Sequence, residues 1–173
     1  MRERVLVLDA SAIINYLAKF GNIDGEAYIT ERAIEEIESE DGRMRVQQLI
    51  EMGKLHIRKP DKNYVRKVIE AARRTGDLVE LSAADIDTLA LALELMNSNR
   101  NVLLITDDYS IMNVAYSLGI KFLSLFMKPI REYREYIYIC RTCNFSTREP
   151  PKNFICPRCG DKLVRRIRKR FRI

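Results

Sequence analysis

A chain of 173 residues, 47% apolar and 31% charged, has a globular composition and excludes a disordered or low-complexity protein. No apolar run approaches the ~20 residues of a membrane span, and "MRERVLVLDAS" has too short an apolar stretch before Asp9 to act as a signal peptide. The expectation is a cytosolic protein with one main domain and a small appendix. The net charge of +6 is unevenly spread. Residues 128–173 hold 14 Lys and Arg against 4 Asp and Glu, whereas residues 1–127 hold 16 against 20. An acidic body suited to cations thus adjoins a basic end suited to polyanions.

In chain order, "RVLVL" (4–8) is a short Val/Leu run ending at Asp9 and reads as a buried strand. "SAIINYLAKFG" has helical spacing and a Gly stop at Gly21. "EAYIT" (26–30) reads as a strand, "ERAIEEIES" (31–39) as a helix with Ile34 and Ile37 inward, and "RMRVQQLIEMG" (43–53) as another helix. "KLHIR" (54–58) is a short strand closed by Pro60, and "NYVRKVIEAARRTG" (63–76) an amphipathic helix. "SAADIDTLALALELMN" (82–97) is a helix capped by Ser82, followed by the strand "NVLLIT" (101–106), the helix "YSIMNVAYSLG" (109–119) and the strand "KFLSL" (121–125). Strands alternating with helices predict an α/β domain over 1–127: an open parallel sheet flanked by helices. From Met127 the pattern changes. The expected organisation is a linker over 128–139, a zinc ribbon over 140–164 and a basic tail over 165–173.

"CRTCNFSTREPPKNFICPRCG" sets Cys140, Cys143, Cys156 and Cys159 in two C-x2-C pairs. Four thiolates so spaced suit a closed tetrahedral zinc site of structural type. Disulfides do not fit a cytosolic chain. A module this small needs the metal to fold. After it, "KLVRRIRKRFRI" offers Arg165, Arg166, Arg168, Lys169 and Arg170 to a phosphate backbone. Phe145, Phe154 and Phe171 are candidates to stack on unpaired bases, with Phe145 and Phe154 equally suited to the ribbon's own small core.

Four acidic stations stand out, three of them at expected strand or helix ends: Asp9; Glu35 or Glu36, inside the expected helix; Asp85 or Asp87; Asp107 or Asp108. Taken singly, Asp9, Asp85 and Asp107 or Asp108 each suit a helix cap, and Glu35 and Glu36 a solvated face. Taken together, three of the four stations belong on one rim of the sheet, where hard cations such as Mg or Mn are held by carboxylates. The only histidine, His56, lies in an apparent strand and reads as structural, so no Ser/His/Asp or Cys/His set can be built.

"VLVLDASAIINYL", "YITERAIEEI", "LSAADIDTLALALEL" and "LLITDDYSIMNVA" together resemble the motif series of the PIN-domain ribonucleases. With a four-Cys ribbon behind them, the chain is similar to the Nob-type endonucleases, a family that trims the 3′ end of small-subunit ribosomal RNA during ribosome maturation. The resemblance covers nearly the whole chain. It implies Asp9, Glu36, Asp85 and Asp108 as the catalytic acids, with Asp9, Asp85 and Asp108 holding Mg or Mn, and Cys140, Cys143, Cys156 and Cys159 holding zinc. It also implies precursor small-subunit rRNA in the pre-ribosomal subunit as substrate, with assembly-factor proteins as further partners. Thr106 and Ser11 would orient ligands or water. The alternatives are a toxin-like PIN ribonuclease acting on other RNA, and a catalytically silent RNA-binding assembly factor.

Overall fold

The computed structural model describes residues 4–23 and 25–173. Strand β1 (Arg4–Leu8) is the centre of a five-stranded parallel sheet, with β2 (Glu26–Ile29) and β3 (Leu55–Ile57) on one side and β4 (Asn101–Ile105) and β5 (Phe122–Leu123) on the other. Because side chains alternate along a strand, Val5 and Val7 enter one core and Leu6 and Leu8 the other. The first core lies under α4 (Lys62–Thr75), α5 (Ala83–Asn97) and α6 (Tyr109–Ser117). The second lies under α1 (Ala10–Phe20), α2 (Glu31–Glu35) and α3 (Glu40–Glu51). Strand order therefore reverses at β1, and the crevice beyond the carboxyl ends of β1 and β4 is where such sheets bind ligands.

The expected α/β order is observed, with several element bounds moved, most of all between residues 35 and 43. The expected single helix over 31–39 ends at Glu35, and α3 starts at Glu40 behind Ser39, whose hydroxyl accepts the Gly42 amide. No helix among the described residues is long and apolar enough to cross a membrane.

Residues 132–139 of the expected linker and 165–172 of the expected basic tail are strand. β6 (Glu132–Cys140) and β8 (Leu163–Arg172) pair antiparallel from Glu132↔Arg172 to Cys140↔Leu163, with an irregularity at Glu135/Tyr136, and β7 (Ser146–Thr147) adds to the far edge of β6. The Tyr/Ile alternation of "EYREYIYIC" drives this, since Tyr133 and Tyr138 become buried. The charges of β8 are compatible with a strand that is exposed on both faces from Arg166 to Arg172.

The ribbon is docked on the main domain through polar groups. Asn113 on α6 completes both backbone groups of Arg134: its Oδ1 accepts the Arg134 amide at 2.9 Å and its Nδ2 donates to the Arg134 carbonyl at 2.7 Å. The same Nδ2 donates to buried Asp77 at 2.6 Å. Arg165 forms an ion pair with Asp77, lies 3.3 Å from Glu80, and places its guanidinium 3.7 Å from the Tyr136 ring centroid. Gly76 has φ +77 and a Cβ there would lie 2.6 Å from the Tyr136 carbonyl oxygen, so only glycine allows the close approach.

Candidate metal centres

The register of β1 and β4 sets Leu8 opposite Ile105, so the next residues, Asp9 and Thr106, meet at the sheet's carboxyl edge. Both are buried. Asp9 caps α1: its Oδ1 accepts the Ala12 amide at 2.5 Å and the Ser11 hydroxyl at 3.0 Å. The Thr106 side chain also bonds Asp9, and its Oγ1 accepts the Asp108 amide at 3.1 Å. Asp108 caps α6, with Oδ1 accepting the amides of Ser110 at 2.6 Å and Ile111 at 3.0 Å. Asp85 closes a capping box with Ser82, its Oδ2 accepting the Ser82 amide at 2.8 Å. Glu36 ends α2.

Asp9, Glu36, Asp85 and Asp108 line one open cleft of about 510 Å³, together with Ser11 and Ser39. Capping and site formation are therefore not rivals. Each cap engages one carboxylate oxygen and fixes the rotamer, and among the described residues no hydrogen bond takes the other oxygen of Asp85 or Asp108. Burial raises the Asp9 pKa above its ordinary value; Thr106, Ala12 and Ser11 oppose that with hydrogen bonds, while the Asp85 charge adds to it. A buried carboxylate facing another acid is relieved by a hard cation, so the residues fit a divalent ion. They are spread more widely than a closed cage. Among the described residues, only the four cysteines form a group with all donor atoms within 4.8 Å of one another. Mg retains several waters and needs few direct carboxylates, which such spacing suits.

The neighbouring acids do other work. Asp87 is buried against Arg32 at 3.1 Å and ties α5 to α2. Glu35, the last residue of α2, does not line the cleft. Asp107 turns away from the cleft to the segment after β5. Its Oδ1 accepts the Ser124 hydroxyl at 2.6 Å and the amides of Leu125, Phe126 and Met127 at 2.9, 3.1 and 3.2 Å, and its Oδ2 accepts from Asn15. Burial alone would raise its pKa, but these donors hold it down at about 2.

The cysteine site is built from two like knuckles. The Asn144 amide donates to the Cys140 carbonyl at 3.0 Å and the Gly160 amide to the Cys156 carbonyl at 2.9 Å, and both Asn144 and Gly160 are left-handed. Sγ separations are 3.4 Å for Cys140–Cys159 and 3.5 Å for Cys143–Cys156, near the about 3.8 Å edge of a tetrahedron with zinc–sulfur bonds of about 2.3 Å. The Cys143 amide is the foremost cause holding the Cys140 thiol down to about 7. This donor set fits structural zinc. Phe145 packs into the ribbon core and Phe154 lies 5.7 Å from the Tyr138 ring, whereas Phe171 is exposed and stacked on Tyr133.

Of the basic residues expected to grip RNA, Arg165 is committed to Asp77 and Glu80, and Arg168 sits 3.7 Å from Glu135. Arg166, Lys169 and Arg170 are exposed. The sequence reading missed Asp77 and Asn113. Their partners lie 88 and 21 residues away, and no local spacing announces such a contact.

A family model described as "PIN domain of ribonuclease" matches residues 6–95, and one described as "Nin one binding (NOB1) Zn-ribbon like" matches residues 130–172. The chain is 37% identical to "Endoribonuclease Nob1" of Pyrococcus abyssi over 93% of this chain and 94% of the relative. It is 35% identical to "Ribonuclease VapC1" of Thermoplasma acidophilum over 96% of this chain and 80% of the relative. It is 33% identical to the "20S-pre-rRNA D-site endonuclease NOB1" of Saccharomyces cerevisiae over 53% of this chain and 20% of that longer protein.

Proposed function

The chain belongs to the PIN-domain endoribonucleases of the Nob1 family, and from that premise we propose that it cleaves precursor small-subunit rRNA at its 3′ end during ribosome maturation in the cytosol. The observation that carries the proposal is the single cleft in which Asp9, Glu36, Asp85 and Asp108 converge at the switch point of the sheet. Asp9, Asp85 and Asp108, with help from Glu36, hold Mg or Mn there. A divalent cation supplies activation of water and stabilisation of the leaving oxygen. The chain's own residues place it. Ser11 and Thr106 lock the Asp9 carboxylate by hydrogen bonds, and Thr106 also holds the backbone of Asp108. The products are a 3′-hydroxyl and a 5′-phosphate. Arg166, Lys169 and Arg170 contribute phosphate contacts from the ribbon.

The test is cleavage of a precursor-rRNA fragment with added Mg or Mn by wild type and by Asp9→Asn. The expected loss in the variant is on the order of a hundredfold or more. Equal cleavage by the two proteins at matched purity sinks the proposal. The likeness to a protein named VapC1 favours a second reading, a nuclease acting on other RNA. Faster cleavage of tRNA or mRNA than of the precursor fragment would select it.

A further inference from the structure

The first turn of α6 is a wall between two depressions. Asp108 and Ile111 line the acid cleft on one side. On the other side Tyr109, Ser110 and Asn113 line a groove of about 710 Å³ between α6 and the ribbon. The far wall of this groove is basic, with Lys128, Arg131, Arg134, Arg165 and Arg172 against only Asp77 and Glu132. The two acids are already engaged, Asp77 by Arg165 and Glu132 by Arg134 at 3.2 Å. Lys128, Arg131 and Arg172 are exposed, and no ion pair takes any of them among the described residues. Tyr109 is 47% exposed, and none of the ring contacts among the described residues involves it.

We propose that this groove holds the unpaired RNA segment next to the scissile phosphate, with Lys128, Arg131 and Arg172 on its phosphates and one base stacked on Tyr109. The inference rests on the nuclease reading above and adds where the strand runs. Three unpaired cations on one wall match a polyanion. An aromatic ring free at the mouth matches a base with an open face, which a duplex does not present. The neighbouring residue along the chain, Asp108, is a proposed metal ligand, so a strand held on Tyr109 is delivered to the acid cleft without a further element between. The groove exists because Asn113 and the Asp77–Arg165 pair fix the ribbon at this distance from α6. Tyr109, Lys128, Arg131 and Arg172 are positioning residues.

The experiment measures binding of a fluorescent single-stranded RNA oligonucleotide to the full chain at several salt concentrations, in an Asp9→Asn background. Replacing Lys128, Arg131 and Arg172 together by Gln should reduce the slope of log affinity against log salt by about 2, at ~0.7 per single-strand phosphate contact. Tyr109→Ala should weaken binding about tenfold, Tyr109→Phe should restore it, and neither should change binding of a blunt duplex. An unchanged salt slope in the triple variant, or unchanged single-strand affinity in Tyr109→Ala, overturns the groove. Cleavage of the same oligonucleotide by the wild-type chain is assayed in parallel. If the groove variants behave as expected but no cleavage occurs with Mg or Mn, it is the nuclease reading that falls.

Discussion

The acid cleft and the cysteine site hold their ligands by opposite means. In the main domain two clusters of 19 and 15 buried side chains support the sheet, and the carboxylates of Asp9, Asp85 and Asp108 are each fixed by helix-cap hydrogen bonds. That geometry rests on the chain's own core and hydrogen bonds. In the ribbon only Tyr138, Cys140, Cys156 and Leu163 are buried together, and two of those four are ligands. Burying a side chain contributes roughly 1.5–3 kcal/mol, which for so few residues does not offset the ordering of about forty. The lesson is that one metal should be a reagent for a finished fold and the other part of the fold itself.

Zinc removal is the strongest way to break this contrast. Chelation, or Cys156→Ser, should remove a binding energy of roughly 10–16 kcal/mol from the ribbon. The ribbon's amides should then lose hydrogen-exchange protection while the main domain retains cooperative unfolding. Added or withheld Mg should leave the ribbon unchanged. A main domain that melts together with the stripped ribbon would erase the distinction.

The second prediction concerns the seam between the two regions. Arg165→Ala leaves Asp77 buried at 1% exposure without its cation. Breaking such a pair costs about 3 kcal/mol, the lower end of the usual range because Arg165 is partly solvated. Denaturant unfolding of the zinc-loaded chain should show that loss in the main domain, although Arg165 belongs to the ribbon. A loss under about 1 kcal/mol would mean that the seam is only a surface contact.

Legibility in the sequence followed the range of the forces. Asp9, Ser82 and the two C-x2-C pairs were readable because cap, strand end and knuckle are each built within a few residues. The parallel sheet followed from alternation of strands and helices. The family resemblance singled out Asp108 from Asp107 and Asp85 from Asp87, where local pattern left both open. The strands β6 and β8 were unreadable as a pair, since Glu132 meets Arg172 only after the ribbon closes, and a run of arginines alone looks like a solvated tail. Asp77 and Asn113 were missed for the same reason: a buried polar pair is specified by partners distant in sequence. The groove between α6 and the ribbon depends on that docking and was therefore out of reach too.

The smallest expected effect separates the adjacent acids Asp107 and Asp108. Asparagine caps a helix about as well as aspartate, so Asp108→Asn should abolish cleavage while leaving the unfolding free energy nearly unchanged. Asp107→Asn should do the reverse. The folded Asp107 pKa of about 2 lies below the ordinary value, so the folded state favours the ionised carboxylate. The stabilisation is fully present above about pH 4 and is lost as pH falls through about 2. Because the side chain is partly solvated, it amounts to about 1 kcal/mol. At pH 7 Asp107→Asn should lose about that much stability, and the amides of Leu125, Phe126 and Met127, which donate to the carboxylate, should exchange faster. Near pH 2 the stability difference between variant and wild type should vanish. A difference independent of pH would show that the segment after β5 is held by packing rather than by the Asp107 charge, and the two carboxylates would then no longer divide into one that holds the fold and one that serves the chemistry.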